Sequence, residues 1–163
     1  MRRKESTLKE DLFFIIDLLE NMGIRYWIDG GWGVDILAGK QSREHRDIDV
    51  NFDAQYTDTL IEKLLKAGYT IDTDWKPARI ELYSDKHGYL DIHPFVINND
   101  GTSKQADLEG GWWEFEADYF GSSVFEGKAI PCISVKGQKI FHAGYELREK
   151  DMHDISILNR ISE

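Results

Sequence analysis

Cysteine is almost missing from this sequence, and so are the features that direct a protein to or across a membrane. Cys132 is the single cysteine among 163 residues, which excludes a disulfide within the chain and fits a reducing compartment. No apolar run reaches the length that crosses a bilayer. The basic residues 2–4 are not followed by an apolar segment with a small-residue cleavage site. We therefore expect a cytoplasmic protein with no membrane partner.

Basic residues are also in short supply. The sequence has 20 Lys and Arg against 30 Asp and Glu, for a net charge of −10. A sequence-independent grip on DNA or RNA needs Lys and Arg against phosphates, so we expect no nucleic-acid partner. An acidic cleft concentrates cations, which is compatible with a small cationic substrate. The length and the ordinary hydrophobic fraction of 41% fit a single domain over residues 1–163.

The sequence does contain a paired glycine followed closely by a pair of carboxylates. Gly30 and Gly31 follow a short apolar strand pattern and precede a helical pattern over about residues 32–39. Asp47 and Asp49 lie two positions apart, so a strand would place both carboxylates on one face. Such a pair repels unless a cation lies between its members, and Mg²⁺ prefers oxygen ligands. Backbone N–H groups at a glycine turn that opens a helix can bind phosphate.

A third carboxylate lies further along the chain, within the apolar strand pattern of residues 89–95. Asp91 and His93 share one face of this strand, while Leu90 and Ile92 share the other. A carboxylate on a central strand is costly to bury unless it is paired or bound to a metal ion. Imidazole titrates near neutral pH, so His93 is a candidate base beside Asp91.

These residues resemble the signature of a known enzyme superfamily. Gly30-Gly31-Trp32 followed by Arg-Asp-Ile-Asp-Val at residues 46–50 is similar to the nucleotidyltransferase superfamily with a DNA polymerase β-like fold. The longer phrases at residues 26–35, 43–49, 88–94 and 130–134 resemble the lincosamide nucleotidyltransferases, and the similarity extends over roughly residues 8–160. The resemblance implies an α+β fold, a mixed β-sheet with flanking helices.

The resemblance also implies a reaction and its participants. The enzyme would use Mg²⁺ to move AMP from ATP onto a hydroxyl of a lincosamide antibiotic such as lincomycin or clindamycin. Asp47, Asp49 and Asp91 would be the catalytic carboxylates and the metal ligands. Either Asp91 or His93 would accept the proton of the acceptor hydroxyl.

Further contacts are expected around this centre. Gly30 and Gly31 would bind the nucleotide through their backbone, and the resemblance implies that Arg43, Arg46 and Lys150 contact it as well. The substrate would meet His93 and the aromatic pair Trp112 and Trp113, on a strand expected to be half exposed. The resemblance further implies a homodimer, which could complete a cleft that so short a chain leaves open.

Several residues have a structural alternative. Arg43 and Arg46 could be the ion-pair partners of nearby carboxylates, and half of the aromatic segment that contains Trp112 could belong to the core. Asp35 is interpreted as a solvated or capping carboxylate. At the level of function, the alternatives are adenylyl transfer to an aminoglycoside or a protein hydroxyl, and a non-catalytic interaction module on the same fold.

Overall fold

The computed structural model describes residues 2–143 and 147–161. Two 3₁₀ turns, Ala54–Tyr56 and Ala117–Tyr119, connect its longer elements. The helices are α1 (Lys9–Met22), α2 (Gly30–Ala38), α3 (Thr57–Lys66), α4 (Val135–Phe141) and α5 (Glu149–Ile161). The strands are β1 (Tyr26–Asp29), β2 (Asp47–Asp53), β3 (Thr70–Trp75), β4 (Arg79–Ser84), β5 (Gly88–Ile97), β6 (Ser103–Ala106), β7 (Trp112–Phe115), β8 (Phe120–Phe125) and β9 (Lys128–Ile133).

The strands form a mixed sheet in the order β3-β4-β5-β2-β1-β9-β8, with β6 and β7 attached to the end of β5. Strand β2 runs parallel to β5, and β1 runs parallel to β9. The other neighbours in this order are antiparallel. The predicted α+β architecture, a mixed sheet with flanking helices, is confirmed.

Alternation along β2 separates the core from the polar face of the sheet. Ile48, Val50 and Phe52 are fully buried and belong to the main hydrophobic cluster, together with apolar residues of α1 and α3. Asp47 and Asp49 project from the opposite face. Burial of the apolar set fixes the register, because a slip of one residue would exchange the two faces.

The junction between β1 and α2 is a direct strand-to-helix turn. Helix α2 begins at Gly30, two residues before the predicted start, because the glycine adopts φ +62° and turns the chain at once. The Asp29 carboxylate accepts a hydrogen bond of 2.7 Å from the Gly30 N–H and so caps the helix. This turn aims the N-terminus of α2 at the polar face of the sheet.

A hydrogen bond inside the protein joins the start of the chain to α2. The indole Nε1 of Trp32 donates to the Thr7 hydroxyl at 2.8 Å, and the Thr7 hydroxyl donates to the His45 carbonyl at 2.9 Å. Trp32 and Thr7 are both buried. These bonds hold the segment before β2 against the helix.

Among the helices described, none has the length and apolar character needed to cross a membrane.

Candidate active site

Strand register places four carboxylates in one row across the sheet. Asp29 on β1 is opposite Asp49 on β2, and Asp49 is opposite Asp91 on β5. The β4–β5 hairpin then pairs Asp91 with Glu81. Asp47 lies two residues before Asp49 on β2, and its side chain is on the same face of the sheet. The three carboxylates predicted from the sequence are therefore neighbours in space.

The carboxylate cluster fits a hard divalent cation. Ligand atoms of Asp47, Glu81 and Asp91 lie within 4.8 Å of one another, and so do those of Asp49, Asp91 and His93. The buried Oδ1 of Asp91 has no hydrogen-bond partner among residues 2–143 and 147–161. A buried carboxylate oxygen without a donor requires a compensating positive charge. Oxygen ligands of this kind suit Mg²⁺.

Electrostatics within the cluster disfavour three simultaneous negative charges. Burial, followed by the charge of Asp49, raises the pKa of Asp47 from its ordinary 3.8 to about 6. Burial also raises the pKa of Asp49 and of Asp91, and their carboxylate neighbours add to the effect. Each carboxylate is thus easier to protonate than in water, and a bound cation would reverse this tendency.

Two arginines partly neutralise the cluster from the β4 side. Arg79 donates to the Asp91 Oδ2 at 3.0 Å, and its guanidinium lies over the Trp75 ring at 4.6 Å. Arg46 lies 3.6 Å from Asp47 and 3.5 Å from Glu81. The Arg46 guanidinium also stacks over the Tyr89 ring at 3.7 Å. The ion-pair alternative for Arg46 is therefore present in the structure, on a side chain that remains exposed.

His93 lies between two of the carboxylates. Its Nε2 is 3.4 Å from the Asp49 Oδ1 and 3.9 Å from the Asp91 Oδ1. Its Nδ1 faces the Gln105 amide nitrogen at 3.2 Å. Burial opposes the charged form of His93, but the hydrogen bond to Asp49 and the charges of Asp91 and Asp49 outweigh it and raise its pKa.

The N-terminus of α2 approaches the cluster so closely that only glycine fits. A Cβ atom on Gly30 would collide with the Asp49 carboxylate. A Cβ atom on Gly31 would lie 2.5 Å from the His45 ring nitrogen and would also meet the Arg43 guanidinium. The paired glycines thus leave the backbone N–H groups of the helix start beside the carboxylates, where an anionic ligand bridged by a cation could be held.

Asp35 corrects the interpretation made from the sequence, because it is fully buried and neither solvated nor a helix cap. Its carboxylate bonds to the His45 Nε2 at 2.6 Å and accepts from the Ser42 hydroxyl and backbone N–H. Burial alone would raise the pKa of Asp35, but the hydrogen bonds from His45 and Ser42 lower it. Asp35 therefore orients His45, whose buried Nδ1 has no hydrogen-bond partner in the described chain.

Arg43 lies at the wall of the site and is paired with the last helix. Its guanidinium forms two hydrogen bonds of 3.0 and 2.9 Å to the Asp154 carboxylate of α5. The ion-pair alternative for Arg43 is present too, although its partner is Asp154 and not one of the carboxylates nearby in sequence. The pair connects positions 111 residues apart.

One cavity of about 450 Å³ joins most of the residues predicted for the site. It opens over the paired glycines, between β2 and the helices α4 and α5. The predicted residues that line it are Gly30, Gly31, Arg43, Arg46, Asp47, Asp49, His93 and Lys150. Asp91 does not line it, and its Oδ1 lies 3.9 Å from the Nε2 of the cavity-lining His93.

The aromatic pair lies elsewhere. Trp112 and Trp113 are on β7, exposed to 49% and 62%, and Trp112 lines a second cavity of about 550 Å³ with Trp75. The Arg79 guanidinium lies over the Trp75 ring and donates a hydrogen bond to Asp91. Trp75 is thus two contacts away from the carboxylate cluster, and neither Trp112 nor Trp113 lines the cavity over the glycines.

Several polar residues of the site were missed by reasoning from the sequence, and Glu81 and Gln138 are two of them. Glu81 could have been found from the hairpin turn at residues 85–88, since a tight turn there pairs position 81 with Asp91. Gln138 of α4 is fully buried and lines the first cavity, with neither amide atom hydrogen-bonded to any described residue. No local pattern marks Gln138, because its position depends on packing of α4 against Gly33 of α2.

Comparisons with known proteins agree with this geometry. The family model described as aminoglycoside-2″-adenylyltransferase matches residues 11–158. A lincosamide resistance protein from Staphylococcus haemolyticus is 49% identical over 160 residues, which cover 98% of this chain and 99% of that protein. The resemblance to the antibiotic nucleotidyltransferases is thereby confirmed.

Solved structures give the same result. The lincomycin-bound crystal structure of the lincosamide antibiotic adenylyltransferase LnuA has a TM-score of 0.90 and 50% identity, covering 96% of this chain and 99% of that one. ANT(2″)-Ia in complex with adenylyl-2″-tobramycin has a TM-score of 0.72 at 15% identity, with 96% and 91% covered. The second likeness concerns the fold alone, and together they confirm the nucleotidyltransferase fold.

Replacement of Gly30 by alanine tests the close approach of α2. Gly30→Ala should weaken binding of a nucleoside triphosphate with Mg²⁺ at least tenfold, about 1.4 kcal/mol, because the new methyl group displaces the Asp49 carboxylate. Gly23→Ala is the matched control, since Gly23 has a similar φ of +69° but no atom within 4 Å of a new Cβ. Both variants should lose about 1–2 kcal/mol of stability from the left-handed backbone. Equal nucleotide affinities by calorimetry would contradict the prediction.

The raised pKa of Asp47 predicts a gain in stability on neutralisation. Asp47 holds its proton to a higher pH in the folded than in the unfolded chain, so its ionisation costs stability as pH rises from 3.8 to about 6. In EDTA at pH 7, Asp47→Asn should be more stable than wild type by on the order of 1–2 kcal/mol, discounted for partial exposure.

Thermal melts at pH 4 and pH 7 measure this difference. The advantage of Asp47→Asn should largely disappear at pH 4, where Asp47 is protonated in the folded protein and near its ordinary pKa in the unfolded chain. Asp85→Asn, at an exposed position of the β4–β5 turn, is the control and should show no such dependence. A lower melting temperature for Asp47→Asn than for wild type at pH 7 would refute the repulsion.

Proposed function

The chain belongs to the antibiotic nucleotidyltransferase family, and from this premise we propose that it transfers AMP from ATP onto a hydroxyl of a lincosamide such as lincomycin or clindamycin. Residues 1–163 would act as one nucleotidyltransferase domain. The modified drug would carry a bulky anionic group and would no longer fit its target.

One observation carries the choice of a lincosamide. The two lincosamide proteins are 49% and 50% identical to this chain and are covered almost completely. The aminoglycoside enzyme ANT(2″)-Ia shares 15% identity with this chain. Identity this low supports a common fold and carries no argument about the substrate. The description of the family model keeps an aminoglycoside as the second candidate acceptor.

Asp47, Asp49 and Asp91 would hold Mg²⁺, with Glu81 as a further oxygen donor. The short distances among their oxygens and the unpartnered Oδ1 of Asp91 support this assignment. When bound, Mg²⁺ supplies positive charge that stabilises the negative charge developing on the phosphate oxygens.

The nucleotide would lie in the cavity over the paired glycines. The N–H groups at the start of α2 would bind phosphate oxygens, and Arg43, Arg46 and Lys150 would add positive charge from the cavity wall. The ion pairs of Arg43 with Asp154 and of Arg46 with Glu81 hold these guanidinium groups in place before ATP arrives.

The transfer itself forms one bond and breaks another. The acceptor hydroxyl oxygen would attack the α-phosphorus of ATP, and the bond from that phosphorus to the bridging oxygen of the leaving pyrophosphate would break. The hydroxyl proton would pass to Asp91 or His93. Asp91 is favoured as the base because its buried Oδ1 has no hydrogen-bond partner in the described chain and so has room to accept a proton.

The acceptor drug would lie between the carboxylates and the β7 strand. His93 would contact it from the polar face of the sheet, and Trp112 and Trp113 would provide an apolar surface. A homodimer could cover these exposed rings.

We also propose a cytoplasmic location. The single, buried Cys132 suits the reducing cytoplasm, where ATP is plentiful.

Mass spectrometry of the antibiotic tests the proposed reaction. Lincomycin or clindamycin incubated with the protein, ATP and Mg²⁺ should gain the mass of one AMP residue, and EDTA should prevent the gain. Tobramycin in the same assay should remain unchanged. A mass gain on tobramycin alone would favour the aminoglycoside alternative, and no gain on either class would favour the non-catalytic alternative.

Asp91→Asn separates the role of base from that of ligand. Turnover should fall by about 10²–10⁴ fold, the range for loss of a general base, while the dissociation constant of ATP changes much less. Single-turnover kinetics and equilibrium nucleotide binding measure the two effects, and Asp85→Asn is the control. Equal losses in turnover and in nucleotide affinity would show that Asp91 acts mainly as a ligand.

A further inference from the structure

Gln105 of β6 connects the backbone of the β3–β4 turn to His93. Its amide nitrogen donates to the Ala78 carbonyl at 3.2 Å and faces the His93 Nδ1 at 3.2 Å. The other ring nitrogen, Nε2, faces the Asp49 Oδ1 at 3.4 Å. Gln105 itself touches none of the four carboxylates in any hydrogen bond found in the described chain.

The Ala78 carbonyl decides which way this chain of bonds runs. A carbonyl oxygen can only accept, so the Gln105 side chain must present its NH₂ group and not its oxygen. One amide hydrogen points to Ala78, and the second points to the His93 Nδ1. Nδ1 must therefore hold a lone pair, which places the ring hydrogen of His93 on Nε2, directed at Asp49.

We propose that Gln105 is a positioning residue that fixes His93 as the Nε2–H tautomer, so that His93 orients Asp49 and is neither the base nor a metal ligand. The statement that His93 is not the general base rests on the proposed function. Of the two groups of ligand atoms, the one containing Asp47, Glu81 and Asp91 is then favoured, with Asp49 completing it through its remaining oxygen. Asp91 is left as the base.

The charges around His93 act in the opposite direction. Asp49 and Asp91 favour the imidazolium, which would carry a hydrogen on Nδ1 as well. That hydrogen would face the NH₂ group of Gln105, since the Ala78 carbonyl prevents the amide from turning its oxygen inward. The contact with Gln105 therefore favours an Nδ1 without a hydrogen, whereas the bond to Asp49 is compatible with a hydrogen on Nε2 in either form. Asp49, Asp91 and Gln105 lie against the ring, and the charge of Asp29 acts on it as well.

The Nε2–H group of His93 also accounts for the orientation of Asp49. Its Oδ1 is directed toward His93, while its Oδ2 lies where a Cβ on Gly30 would be. A donor on one side leaves the second oxygen beside the N-terminus of α2, where it is available to a cation shared with a bound phosphate. Loss of the donor would let this carboxylate rotate.

Nitrogen NMR of the histidine ring tests the tautomer directly. With ¹⁵N-histidine labelling of the whole protein, with and without Mg²⁺, His93 should show a protonated Nε2 and an unprotonated Nδ1. Gln105→Glu should move a hydrogen to Nδ1, because a carboxylate accepts there. A protonated Nδ1 in the wild-type protein would overturn the proposal. This readout needs no transfer reaction, so it stands even if no antibiotic is modified.

Two substitutions of His93 separate an oriented donor from a base. The amide nitrogen of Gln reaches the position of Nε2, so His93→Gln should keep turnover within about tenfold of wild type. His93→Asn is too short for Asp49 and should lose about 10–100 fold, the usual effect of removing a supporting hydrogen bond. If His93 were the base, both variants would lose about 10²–10⁴ fold alike.

Gln105→Leu completes the test. It should lower turnover by about 10–100 fold. In the NMR spectrum it should produce a mixture of the Nδ1–H and Nε2–H tautomers of His93. Gln55→Leu, at an exposed position outside the site, is the matched control and should change neither measurement. An unchanged tautomer and unchanged turnover in Gln105→Leu would show that Gln105 has a packing role only.

Discussion

Repulsion among carboxylates held side by side on neighbouring strands is the constraint on which the rest of this structure depends. Asp29, Asp49, Asp91 and Glu81 form one row because register fixes them there, and register is fixed by the apolar residues on the opposite face. The protein therefore uses the burial of its core to hold like charges together. Arginines on one side and a glycine-lined helix start on the other make that arrangement tolerable.

Much of this arrangement is readable from local sequence, and the reasons are physical. Alternation predicts that Asp47 and Asp49 share a face, and a hairpin turn marks the strand that carries Asp91. Asp35 and Gln138 were not predictable in this way. Asp35 is buried against Ser42 and His45, seven and ten residues further on, by the course of the loop after α2. Gln138 is buried by the packing of α4 on α2, two segments far apart in sequence.

The partners of the charged residues also depend on tertiary structure. The sequence places Arg43 next to an acidic segment, yet its partner is Asp154 on the last helix. Arg46 meets Glu81, which lies on a strand two positions away in the sheet. A cationic side chain near a predicted site can therefore be recognised from the sequence, and so can a neighbouring partner such as Asp47 for Arg46. A partner on a distant segment cannot, because long side chains reach whatever the fold brings near.

The β6–β7 hairpin is attached only to the last residues of β5, outside the main order of the sheet. It bears both the exposed tryptophans and Gln105, whose amide reaches His93. The same hairpin thus holds the exposed tryptophans and Gln105, which contacts His93 at the centre of the site. With the substrate role proposed for the tryptophans, an evolutionary change that reshapes this hairpin for a different drug would also move Gln105, so drug selectivity and catalytic rate would change together.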